Sequence, residues 1–234
     1  MAAAASGMAA QQQNLDVIAD NLANADVAGF KGAQATFAAL GGTGGTAATG
    51  VRELVTQGKL MKSGGAFDVA IDGPGFFAVE RDGRRGYTRG GSFSRAADGS
   101  LRNAEGWALR GVRVPAGAQS IAVAADGRVA GTLANRASYV AGTIRLQTFN
   151  APEFLRPDGS AVFAATRESG PARNVSAGGD RQPKIAFGML EKSNVSIVES
   201  MMAILAAQRA YEANSKGVQA ADEMLRIANN LHRS

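Results

Sequence analysis

The sequence contains no cysteine, one histidine and one tryptophan. Without cysteine there are no disulfides, thiolate metal sites or cysteine nucleophiles. The one histidine, His232, stands near the C-terminal end, where a lone imidazole is far more often solvated than part of a Ser-His-Asp arrangement. No apolar run reaches the roughly eighteen residues of a membrane-spanning helix. The opening MAAAASGMAAQQQ has neither the basic start nor the apolar block of a secretory signal, so any export is expected to use a route without a cleaved signal peptide. The Gly-rich stretch GGTGGTAATG, residues 41–50, is followed by no Lys-Ser or Lys-Thr, which argues against a phosphate loop. Asp68 and Asp72 are four residues apart in FDVAIDG; they read as a strand start and a turn rather than as an acid/base pair. Enzyme chemistry is therefore the poorest fit, with no catalytic residue, cofactor or metal site expected.

What is present is a chain of 234 residues, 45% hydrophobic and 19% charged, with a formal charge of +5. That length supports one substantial core with appendages, and the modest basic excess permits an acidic partner without requiring one. Hydrophobic periodicity divides the chain. Residues 8–25 are expected to be helical, since Met8, Leu15 and Leu22 fall seven apart with Gln11, Ile18 and Ala25 on the interleaved line. Asn21 and Asn24 lie on or beside this thin, partly polar seam. The helix should stop by Gly29, ahead of Phe30 and Lys31, where Asn24, Asp26 and Gly29 supply turn chemistry. Residues 41–50 read as a flexible linker.

From Val51 to about Phe187 the period shortens to that of strands, with apolar runs such as FDVAI, GFFAVE and TIRLQTF. Five Asp-Gly pairs, beginning at Asp72, Asp82, Asp98, Asp126 and Asp158, lie between or beside such runs, as tight turns in a strand meander require. The expected core comprises Phe67, Val69, Ile71, Phe76, Phe77, Val79, Phe93, Leu101, Trp107, Leu109, Ile121, Val123, Ile144, Leu146 and Phe149. After Asn194 the helical period returns: Ile197, Ile204, Tyr211, Val218 and Leu225 recur every seventh residue, widened by Met201, with polar Gln208 and Asn214 alongside. Both terminal helices are too thin-striped to stand alone. They could pair with each other, pack on the β region or meet other copies.

The Arg-rich segment 81–102 carries six arginines and two aromatics. It could be read as a nucleic-acid patch, although its Asp-Gly turns place the arginines on a hairpin whose outer face they would solvate.

LDVIADNLANADVAGFK, residues 15–31, resembles the N-terminal signature of bacterial flagellar rod and hook proteins. Three further segments agree with it in the family's order: FDVAIDGPGFFAV, GYTRGGSFSRAADGSLRNAEGW and MLEKSNVSIVESMMAILAAQRAYEANSKGVQAADEML. Within the family the last segment looks most like the distal rod branch, the proximal rod branch coming next. The resemblance implies a mixed α and β fold, in which an all-β central domain is flanked by N- and C-terminal helices that pair as a coiled-coil-like tail domain. The expected boundaries are an assembly helix and turn at 1–40, a linker at 41–50, a β-rich domain at 51–190 and an assembly helix at 191–234. It further implies a self-assembling subunit of a hollow rod that spans the periplasm and transmits torque from motor to hook. Its partners would be copies of itself, other rod proteins, hook protein and the periplasmic and outer-membrane rings, with no nucleic acid. Tails of this kind are expected to be disordered in the monomer and to fold on assembly. The competing readings are a monomeric β-domain binding module and a nucleic-acid binder.

Overall fold

The computed structural model describes residues 2–40, 45–159 and 161–231, and divides into two compact units. One unit comprises residues 1–23, 33–52 and 195–234; the other comprises 24–32 and 53–194. Neither is continuous in sequence, and residues 24–32 belong with the β-rich unit rather than with the expected 1–40 piece.

The helical unit holds α1, Ala2–Ala23, and α2, Ile197–Leu231. α1 begins six residues earlier than the seam suggests because Ala2–Ala5 and Met8–Ala10 are good helix formers. α2 starts at a Ser-x-x-Glu box in which Ser196 Oγ accepts the Glu199 N–H at 3.3 Å, satisfying a donor the helix leaves open. The linker expectation fails over residues 45–50. Gly45–Glu53 is a strand paired with Ala33–Leu40. Thr49 Oγ1 donates to Thr36 O at 3.2 Å and Thr36 Oγ1 to Gly50 O at 3.0 Å. Threonine ties therefore hold a ribbon that glycine composition alone would leave loose. Residues 41–44 and His232 lie outside the described residues.

The β-rich unit is built on a sheet of twelve strands among the described residues. Its central strand, Phe76–Arg81, pairs antiparallel with Arg84–Thr88, Ala108–Arg113 and Leu146–Thr148. The Asp82-Gly83 pair turns the chain between the first two of these, with φ of 51° and 76°, as a two-residue hairpin loop demands. Asp98, Asp126 and Asp158 also sit at hairpin connections. Asp72 does not, because its strand Val69–Asp72 pairs with the distant Lys184–Phe187. At Asp98 the carboxylate accepts the Ser100 hydroxyl at 2.6 Å, the Ser100 N–H at 3.0 Å and Arg102 at 3.2 Å. These bonds, the Ser100 hydroxyl first, hold its pKa well below the usual carboxylate range.

Alternating residues of these strands fill the interior. All fifteen expected core residues lie in or against two hydrophobic clusters, one around Phe77, Val79 and Trp107, the other around Phe76, Tyr87 and Phe163. The strand Met189–Glu191 pairs with Leu60–Lys62, aligning Glu191 with Leu60 and delivering a carboxylate into the protein interior.

Candidate assembly surface and a buried ion cluster

α1 and α2 lie side by side in the helical unit, the Gly7 backbone meeting the Asn214 amide. The covered line of α2 is not its most apolar one. Ser200 and Ala207 are buried and Asn214 and Ala221 half-buried, at heptad spacing, while Ile204 and Val218 are only half-buried. Small side chains let a neighbouring backbone approach closely, which explains why they take the covered line. On α1, Ala10 is buried, and Met8, Gln11, Leu15, Ile18, Asn21 and Leu22 are half-buried. Asn21 anchors the element that follows. Its amide donates to Ala33 O and accepts the Ala33 N–H, both at 2.7 Å, fixing the start of the strand Ala33–Leu40. The displaced apolar residues of α2 face outward: Ile197, Val198 (67% exposed), Met201, Met202 (58%), Leu205, Tyr211, Met224 and Ile227. Gln208 is exposed, and the Leu225 side chain is outside the described set.

The remaining sequence-selected residues, Asn24, Gly29 and Phe30, sit in the β-rich unit. Gly29 adopts φ +74°, and a Cβ there would come within 2.1 Å of the Gly90 nitrogen, so the Gly-Phe-Lys turn is seated directly on the backbone just past the strand Arg84–Thr88. Its N–H donates to Glu191 O at 2.7 Å. Phe30 is buried.

Behind the turn lies a cluster that periodicity gave no means of finding. Lys31, Arg89 and Glu191 are 1%, 4% and 0% exposed. Lys31 Nζ donates to Glu191 Oε1 at 2.5 Å and to Thr56 O at 2.7 Å. Arg89 donates through Nε to Glu191 Oε2 at 2.8 Å, and through its two terminal nitrogens to the carbonyls of Gly73, Gly75 and Ile71. Glu191 Oε1 also accepts the Gly58 N–H at 2.8 Å. Every polar atom thus has a partner, which buried charge requires. Two cations share one anion, so Arg89–Glu191 is a balanced pair and Lys31 the surplus charge. Burial outweighs the attraction of Glu191 and, together with Arg89, holds the Lys31 pKa below its ordinary value. Beside it, Asn194 Oδ1 accepts the Gly32 N–H at 2.8 Å and its NH2 donates to Leu54 O and Thr56 Oγ1.

The Arg-rich hairpin is largely occupied within its own unit. Arg81 lies 4.6 Å from the Trp107 ring centre and donates to Glu105 O. Arg84 pairs with Asp158, Arg95 donates to Val114 O and Arg102 pairs with Asp98. Asp68 is buried and accepts the Ser63 hydroxyl, whereas Asp72 is exposed, so the two do not form an acid/base pair. Among the described residues no group of three or more His, Cys, Asp or Glu could hold a metal ion, and no helix is long and apolar enough to cross a membrane.

Residues 1–31 match the family described as flagella basal body rod protein, residues 70–131 the flagellar hook protein FlgE/F/G D1 domain, and residues 187–231 the flagellar basal body rod FlgEFG protein C-terminal family. The flagellar basal-body rod protein FlgG of Agrobacterium fabrum is 36% identical over 97% of this chain and 97% of its own length. The chain belongs to the flagellar basal-body rod protein family. FlgG of Borreliella burgdorferi is likewise 36% identical, over 98% of this chain and 97% of its own. FlgF of Caulobacter vibrioides is 32% identical over 93% and 91%. As a member of the rod family the chain is a structural component of the flagellar basal body and not an enzyme. Each matched segment of this rod protein contributes one charge to the buried cluster: Lys31, Arg89 and Glu191.

Proposed function

We propose that this rod-family subunit self-assembles through its terminal helices into the distal section of a hollow helical shaft, which transmits torque from motor to hook. The observation that carries this is the outer face of α2. Val198, Met202, Leu205 and their neighbours stay exposed beside α1, and an apolar stripe of that extent on a structural protein calls for a covering surface. The likeness to relatives named FlgG favours the distal branch, and the FlgF likeness keeps the proximal branch as the second reading. In this proposal α1 and α2 pair in coiled-coil fashion, the small line inward and the apolar line toward other copies. Met8, Leu15, Ile18, Leu22, Ile204 and Val218 then support the pair, and Ile197, Met201 and Tyr211 meet neighbours. The rod would span the periplasm after export without a cleaved signal peptide, touching other rod proteins, hook protein and the ring proteins.

The test is sedimentation velocity of the full chain over a concentration series, with electron microscopy of the largest species. Assembly that is lost in Met202→Ser/Leu205→Ser, with helix content unchanged, supports the proposal. A chain that stays monomeric at every concentration and resists proteolysis throughout would replace it with the closed β-domain binding module.

A further inference from the structure

The segment Asn24–Gly32 is unusual in how it is attached. Neither hydrophobic cluster of the β-rich unit contains any of its residues. Its only large buried apolar side chain is Phe30, and its other anchors are polar. Gly29 N–H binds Glu191 O, Lys31 binds Glu191 and Thr56 O, Gly32 N–H binds Asn194 and Gly32 O accepts the Leu54 N–H at 2.7 Å. Without this segment Glu191 still holds Arg89 and the Gly58 N–H, so the cluster stays charge-balanced when Lys31 leaves. The core and its inner ion pair are therefore complete without the segment.

The positions in the chain give this a purpose. Asn24 directly follows α1, and Asn194 lies three positions before Ile197, the first residue of α2. The bonds Gly29 to Glu191 and Gly32 to Asn194 tie the stretch that follows α1 to the stretch that leads into α2.

We propose that Lys31, with Asn194, forms a latch that docks residues 24–32 onto an already folded β unit and so fixes the spacing of the two helix roots. Opening is a local event that leaves the strand core folded. Lys31 and Asn194 are positioning residues for assembly; this role rests on the self-assembly proposed above, whereas the latch itself does not.

Hydrogen exchange read by mass spectrometry on the full chain tests it. In Lys31→Ala the amides of Gly29, Gly32 and Leu54 should exchange roughly tenfold faster or more, while those of the strand Phe76–Arg81 keep the wild-type rate. Asn194→Ala, which disturbs no buried charge, should do the same at Gly32 and Leu54. Acceleration spread equally over the strand core, or none in either variant, overturns the latch. Sedimentation of the same samples separates the two readings. Wild-type chain that never self-associates removes the assembly role but leaves the exchange result to decide the latch, and latch variants that open yet assemble as wild type refute the positioning role.

Discussion

Replacing Glu191 by glutamine removes one anion and leaves two cations buried. Lys31 and Arg89 lose the carboxylate they share, at 2.5 and 2.8 Å. Breaking a buried ion pair from one side costs about 3–5 kcal/mol. Lys31 can shed its proton to reduce the penalty; Arg89 cannot. The expected loss is therefore about 4 kcal/mol, which at about 2–4 °C per kcal/mol for a domain of this size is roughly 8–16 °C in Tm. Trp107 supplies the readout, being the only tryptophan and fully buried in the β core. Urea unfolding followed by its fluorescence should show a lower midpoint with an unchanged slope. A shift worth less than about 1 kcal/mol, the range of a solvent-screened pair, would mean that water reaches the cluster, and the reasoning would fail.

Other consequences can be checked with the same protein. An undocked Lys31 keeps its proton up to its ordinary pKa of 10.5, whereas the docked one gives it up earlier. Between the two values the unfolded chain binds more protons, so stability gains from Lys31 as pH rises through that window; urea midpoints of wild type should climb relative to those of Lys31→Met. Gly29→Ala forces a side chain into the left-handed region and against Gly90, costing about 1–2 kcal/mol for the conformation alone; exchange at Gly32 should speed up before the core loosens. Ala207→Leu overfills the covered line of α2 at a cost of roughly 1–3 kcal/mol, read as earlier melting of the helical signal by far-ultraviolet circular dichroism. A fragment of residues 51–190 would lack both Lys31 and Glu191; by Trp107 fluorescence it should unfold at lower urea than the full chain.

Strand alternation and Asp-Gly turns made the β core readable, because both are signals between neighbours in sequence. Four of the five Asp-Gly pairs lie at hairpins, and the fifth, Asp72, fails because its strand finds its partner more than a hundred residues away. Gly45–Gly50 was illegible for another reason: glycine, alanine and threonine carry little hydrophobic pattern, and the ribbon is held by threonine hydroxyls. Heptad spacing located both helices but pointed to the larger residues of α2, while contact went to Ser200 and Ala207. The ion cluster had no local signal at all. Lys31 and Glu191 are 160 residues apart and Arg89 and Glu191 102, and each charge alone looks like ordinary surface.

The outer face of α2, beyond the assembly role proposed for it, has a chemical vulnerability. Met201, Met202 and Met224 present their thioethers at the surface, each more than half exposed. Peroxide can therefore convert them to sulfoxides, turning an apolar stripe polar. In the free subunit these sulfurs should oxidise ahead of any buried group. In the proposed assembly a neighbour laid over them would act as their antioxidant, so the oxidation state of three methionines would record whether a subunit met the oxidant before or after it was covered.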